Sequence, residues 1–387
     1  MEKKGLLRFL RQDIGLFDSL SRLSDARTFP IIPLATVLGA VALMPLFVAK
    51  SFLALDREAR GSLLKSMLES TRRMVVSDTT IQRVLPSVVK EELEEVLLKT
   101  VRKLDQYDVL RAPLVAGGRS YRIGIIDGST MSNHDVVVFD LHGKVDAPTF
   151  VLSSAGHGHE FATARDCLQR AAKKLGPLMP DLIMGDGLYF NEPIATLVHG
   201  MGAHFFFKVT TDPGWREVLS NAAFVMKSNR RSPKYRQSAS GFDPVRLCSW
   251  SMELAAATYA GVPVQIAFVT EHYQKDPRRQ PSTFWVLTSA LDLSPAELRE
   301  AAHTRWHIEN DIFKRLSHLA GTKRYKGSES GSFRCFLMLL CAAVAAIATY
   351  LYILQQVPEK WKEFLGGIKP TWGNILFKLR QVAAVAV

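Results

Sequence analysis

The sequence predicts an α/β protein. A mixed sheet is flanked by helices and interrupted by a mostly β insertion, with a helical N-terminal region and C-terminal helices. Three observations predict it. From Tyr121 the hydrophobic period changes, and RIGIID, DVVVFDLHG and TFVLSS read as three strands joined by tight polar turns. After them helix and strand patterns alternate: a helix from His159 to Leu175, the short buried strand DLIMGDG, a capped helix from Asn191 to Val198 ending at Gly200, and the strand AHFFFKV. Residues 1–112, ahead of the sheet, read as helical.

The expected division is then 1–112 as a helical DNA-binding or dimer region, 113–210 as the first part of the core and 211–280 as the insertion. The second part of the core with its main helix covers 281–325, and a C-terminal helical region covers 326–387. In the N-terminal region, Asp56 to Arg73 has helix-forming composition, MVV is a connector, and SDTTIQRVLPSV is a helix capped by Ser77 or Asp78. Gln82 and Arg83 are left exposed on it. The pair of helices reads equally as a helix-turn-helix that contacts DNA and as a packing or dimer module.

In the insertion, RLCSWSMEL and VPVQIAFVTEHY read as strands. The basic stretch KSNRRSPKYR, with Lys227, Arg230, Arg231, Lys234 and Arg236, is either a solvated loop or a contact to a DNA backbone, and the charge of the whole chain favours the contact. STFWVLTS resumes the sheet. SPAELREAAHTRWHIENDIFKRLSH follows as one helix, with Ser294 as N-cap, Pro295 at the first helical position and Glu297 closing a capping box. Ile308, Ile312, Leu316 and Leu319 line one face, and Glu309 sits at its margin one turn from Arg305.

Lysine and arginine number 49 against 37 aspartates and glutamates, a formal net charge of +12. That balance points to a polyanionic partner, nucleic acid first. Four cysteines without a C-x-x-C pair argue for reduced thiols in a cytoplasm and against a zinc site. The N-terminus is too charged for a signal peptide. Phe333 to Leu354 is long and apolar enough for a bilayer, yet its alanines suit close packing in a soluble core, so no membrane partner is expected.

Three acids share an unusual context: Asp127 closes one apolar strand, Asp186 closes another between Gly185 and Gly187, and Glu309 lies on a helix that should cover the sheet. Converging carboxylates repel unless cations or protons separate them. Hard divalent cations with oxygen ligands fit this donor set, and two of them held by carboxylates would serve phosphodiester cleavage. The turn glycines would leave room for a bulky polyanion.

IIDGST, LIMGDGLYFN and TRWHIENDIFKRL, in that order, resemble the three acid-bearing segments of the DDE transposases of bacterial insertion sequences. The closest resemblance is to the cut-and-paste group with a Tyr-Arg-Glu-Lys signature. The resemblance implies an RNase H-like core, Mg2+ (or Mn2+) as two ions, and a homodimer on terminal inverted repeats and target DNA, acting in the bacterial cytoplasm. Asp127, Asp186 and Glu309 would be the catalytic metal ligands. Arg305 would clamp a phosphate, with Lys314, Arg315, Lys323, Arg324 and Lys326 along the backbone. Arg305 and Glu309 keep the signature's spacing, but its Tyr position falls on Ala302 and its Lys position on Leu316. The alternative is therefore a catalytically impaired, transposase-derived DNA-binding protein. Asp135 and Asp140 compete with Asp127. His157, His159 and Glu160 offer a separate metal cluster or plain loop and helix-start roles, and Trp215 could stack on a base or simply fill a core.

Overall fold

The computed structural model describes residues 5–68, 75–111, 114–116, 119–209, 217–228, 237–274, 280–305, 312–322, 325 and 330–366, with short pieces at 369–371, 374–376, 378–379 and 381. The chain divides into two compact units. One comprises Met1–Arg111, Gly128–Cys167 and Ile308–Val387, the other Ala112–Asp127 and Leu168–His307.

Nine strands form one mixed sheet: β1 Ile123–Met131, β2 His134–His142, β3 Ala147–Ala155, β4 Leu182–Gly185, β5 His204–Val209, β6 Gln237–Asp243, β7 Cys248–Tyr259, β8 Val262–Tyr273 and β9 Ser282–Thr288. Their order is β3-β2-β1-β4-β5-β9-β8-β7-β6. β1, β4 and β5 are parallel neighbours, whereas β9, β8, β7 and β6 follow as antiparallel pairs. The mixed α/β architecture is thus the one the sequence predicts, and the insertion's strands extend the main sheet. That segment also holds a helix, Glu217–Ser228, that strand-like patterning did not suggest.

In the first unit the described N-terminal helices are short except for α1, Lys90–Asp105. The predicted helix from Asp56 is broken at Gly61 into Phe52–Arg60 and Ser62–Met67. Ser77 does cap Asp78–Val84, its Oγ accepting the Thr80 N–H. Gln82 and Arg83 are exposed on that helix. After the meander comes α2, Glu160–Lys174.

The long apolar helix of this unit, designated α3, is Ser330–Gln355. Its segment Gly331–Gln355 is long and apolar enough to cross a membrane, but 83% of its most apolar window is buried inside the fold. It packs on α1 and β3. Arg334 crosses that seam, donating from Nε to the Val151 carbonyl at 2.8 Å and pairing with the buried Glu94 of α1. Phe333 stacks on His134 with ring centroids 5.0 Å apart. A helix so enclosed behaves as a core element, since its apolar surface meets protein.

In the second unit the helix that matters most is Pro295–Thr304, designated α4. Ser294 and Glu297 form the predicted capping box, and Pro295 opens the helix. The helix stops at Thr304; Glu309 and the rest of 306–311 lie outside the described residues, and helix resumes at Lys314–Ala320 in the first unit.

Candidate active site

Asp127 does not end its strand. β1 continues through Asp127, Gly128, Ser129 and Thr130 to Met131, and the chain reverses at Ser132 and Asn133, whose φ angles are 49° and 65°. Two consecutive residues with positive φ are the signature of a tight hairpin turn. The Asp-Gly-Ser-Thr stretch that reads as a turn is therefore strand.

Gly128 has a different use from the one expected. A Cβ there would collide with the carboxyl group of Glu160, the first residue of α2. The Glu160 carboxyl group lies against the strand backbone where a side chain at this position would begin. The loop leading to Glu160 is held by Asp135, whose Oδ2 accepts the His159 N–H at 2.9 Å. Gly156 and Gly158 supply its positive φ angles of 83° and 87°. His157 and His159 are exposed.

Asp186 lies just past β4. Its Oδ1 accepts the Leu188 N–H at 2.8 Å, which makes it the pivot of the turn. Gly185 before it is needed by packing, because a Cβ there would press on the buried Tyr189 ring at 3.1 Å.

The two acids are matched by register. Ile123 pairs with Leu182, Gly124 with Ile183 and Ile125 with Met184. Counted on by two residues past the last paired ones, Asp127 of β1 and Asp186 in the turn after β4 fall at the same step of that register. Arg305, at the end of α4, brings Nη1 to 3.4 Å from Asp127 Oδ2, and both side chains are buried. Two carboxylates at one step of the register of neighbouring parallel strands, one of them against a guanidinium, are an oxygen donor set with part of its charge offset. Hard divalent ions suit that donor set.

Other predicted residues fall as follows. Lys314 is exposed and Arg315 half-buried. Ala302 and Leu316, at the signature's Tyr and Lys positions, are buried core residues. Lys323, Arg324, Lys326, Arg230, Arg231, Lys234, Arg236 and Trp215 lie outside the described residues, as does the side chain of Lys227. Among the described residues, one set of metal-ligand type is gathered: Asp140, His142 and Asp146, with ligand atoms within 4.8 Å of one another. It involves none of the three expected acids. His142 Nδ1 lies 2.7 Å from Asp146 Oδ1, so those two already satisfy each other.

A buried ionic network under α4 was not foreseen. Glu271 of β8 is almost wholly buried at 1% exposure. Its Oε1 accepts from Arg299 Nε at 2.7 Å and lies 2.8 Å from His303 Nε2, while its Oε2 accepts from the Tyr273 hydroxyl at 2.8 Å. Burial alone would raise the Glu271 pKa. The hydrogen bond and charge of His303, the Tyr273 hydroxyl and the Arg299 charge outweigh it and hold the group at about 2.

Arg299 also donates to Asp243 Oδ2 at 2.9 Å, and Arg246 bridges Asp243 to Glu300 at 2.8 and 2.9 Å. Asp243 is held far below the ordinary range: burial pushes it up, but bonds from the Arg246 backbone and from both guanidinium groups prevail. From β5, the buried Lys208 donates to the Ala302 carbonyl at 3.1 Å. One sequence signal was available. Ala267, Val269 and Glu271 occupy the buried alternate positions of β8, so an acid falls where the period demands an apolar residue.

The transposase DDE domain model matches residues 118–345, more than half of the chain. The chain belongs to the transposase DDE domain family. The matched region of this transposase takes in Asp127, Asp186, Arg305 and Glu309, together with the insertion between the second and third acids. Among curated proteins, none matches the chain. A nine-stranded mixed sheet with surrounding helices is consistent with the RNase H-like architecture expected of a transposase.

Proposed function

We propose that this transposase belongs to a bacterial insertion sequence of the group with the Tyr-Arg-Glu-Lys signature. It cuts double-stranded DNA at terminal inverted repeats and joins the freed 3′-hydroxyl to target DNA, working as a homodimer in the cytoplasm. Asp127, Asp186 and Glu309 would hold two divalent cations, Mg2+ or Mn2+. Bound there, the cations would activate the attacking oxygen and stabilise the leaving one.

The protein's own part is positioning and charge. β1 carries Asp127 and the tight turn after β4 carries Asp186, which would limit how far each can stray from a reactive geometry. Arg305 offsets the charge of Asp127 while the site awaits DNA, and a guanidinium so placed can turn its second edge to a scissile phosphate. Basic side chains at Lys314, Arg315, Lys323, Arg324 and Lys326, and in the 227–236 segment, would follow the DNA backbone. Gln82 and Arg83 would meet it from the N-terminal region.

What supports this reading is that Asp127, beside the buried Arg305, and Asp186 fall at one step of the β1–β4 register counted past its last pair, within the family-matched segment. The decisive experiment uses a supercoiled plasmid carrying the gene with its flanking DNA. Asp127→Ala, Asp186→Ala and Glu309→Ala should each abolish Mn2+-dependent nicking while gel-shift binding persists. Full nicking by one of these variants removes that residue from the site. A wild-type chain that binds but nicks under neither Mg2+ nor Mn2+ is instead the impaired, DNA-binding derivative that Ala302 and Leu316 at the signature positions suggest.

A further inference from the structure

The insertion between the second and third acids places a buried acid, Glu271, against the helix that carries Arg305. We propose that Glu271 is a positioning residue for the strand-cutting site: through Arg299 and His303 it locks the last turn of α4 and thereby sets the Arg305 guanidinium on Asp127. The proposal rests on the nuclease reading above and assigns the insertion a task within it.

The geometry runs as a chain of fixed contacts inside one unit. Arg299 and His303 are four residues apart and so lie on one face of α4. Both reach the same carboxylate oxygen of Glu271, at 2.7 and 2.8 Å. The other oxygen is taken by Tyr273, so Glu271 cannot turn without breaking a contact. Asp243, at the end of β6, holds the second edge of the Arg299 guanidinium. The indole of Trp250 on β7 lies beneath it, 5.9 Å from the guanidinium carbon. Three strands of the insertion thus grip one helix.

In the same last turn, Lys208 of β5 donates to the Ala302 carbonyl, with its ammonium 4.2 Å from the centre of the Phe284 ring. Two residues past His303 the chain reaches Arg305, and its contact with Asp127 is long at 3.4 Å. A helix end held at these points fixes the backbone from which the Arg305 side chain reaches Asp127. Rate in a preorganised site is sensitive to such placement, since a displacement of about 1 Å can cost about a hundredfold.

The test uses the full-length chain. Glu271→Gln keeps the volume and one acceptor but removes the charge; Tyr273→Phe, a milder change, removes one contact and covers the case in which Glu271→Gln does not fold. Nicking of the plasmid that carries the gene and its flanks is measured with Mn2+, with gel-shift affinity for the same plasmid fragment and hydrogen exchange of residues 299–305. Glu271→Gln should slow nicking at least about tenfold, and Tyr273→Phe about two- to threefold, with affinity unchanged and faster exchange in 299–305 but not in β1 or β4. In an Arg305→Ala background, Glu271→Gln should cost nothing further, because the residue it works through is gone.

A merely structural role predicts a loss that multiplies with that of Arg305→Ala. That result, or wild-type nicking by Glu271→Gln, overturns the proposal. If the wild-type chain nicks nothing, the nuclease reading fails. The exchange data then still decide the clamp: unchanged exchange in 299–305 refutes it and faster exchange supports it.

Discussion

Asp127 and Glu271 are both carboxylates buried in the same unit, and they are handled in opposite ways. Glu271 is 1% exposed and surrounded by three donors within 2.8 Å. Asp127 is 3% exposed, and its contact with Arg305 is 3.4 Å. The first is committed to holding parts of the fold together. The second has an arginine neighbour at a longer distance, close enough to offset its charge. In the proposed function, Asp127 would exchange its arginine contact for a metal ion. A carboxylate meant for architecture is saturated.

The largest effect should come from removing the saturated acid. Glu271→Ala leaves Arg299 and His303 facing an emptied site, and breaking a buried pair from one side costs about 3–5 kcal/mol. Asp127→Asn, which keeps the volume and loosens a longer contact, should cost less than Glu271→Ala. Urea denaturation at pH 7, with midpoints compared at equal slope, reads both. Equal losses for the two variants would erase the distinction between them.

Much of the fold was legible because its signals are local. The meander, the short strand before Asp186 and the capping box at Ser294 each declare themselves within a few residues through period, turn chemistry or cap spacing. Asp127 and Asp186 could be picked out because each follows an apolar run. What they share, the same step of the β1–β4 register counted past its last pair, is a property of the sheet that neither segment contains alone.

The Asp-Gly-Ser-Thr stretch misled for a physical reason. Its residues favour turns, but the Ser132-Asn133 reversal three residues later keeps them inside the strand. The Glu271 network was hidden because its partners stand 28 and 32 residues away on another element. Only the misplaced polarity of Glu271 in a buried alternation hinted at it.

Acid sharpens the same comparison. The folded-state pKa of Glu271 is lowered to about 2 from a reference of 4.5. The stability it adds is therefore fully present above about pH 4.5 and is lost as the pH falls through about 2, amounting to about 3 kcal/mol from a shift of that size. The stability of wild type should fall over that window, and Glu271→Gln should flatten the slope. A pH titration of the urea midpoint measures it. An unchanged slope in the variant would show that other acids carry the transition.

The smallest effect concerns the residue after Asp127. Gly128 has no room for a Cβ because the Glu160 carboxyl occupies that position. Gly128→Ala must push Glu160 aside, and overpacking of this kind costs about 1–3 kcal/mol. The obstacle is the far end of a flexible side chain, which places the expected loss at the lower end. Removing the obstacle should remove the penalty: Gly128→Ala combined with Glu160→Ala should recover most of the loss seen in Gly128→Ala alone. Thermal midpoints of the single and double variants measure this. Additive losses would mean that Gly128 is needed for the strand itself. Recovery would mean that it is needed to admit a carboxylate, a second kind of acid beside β1 whose constraint is space where that of Asp127 is charge.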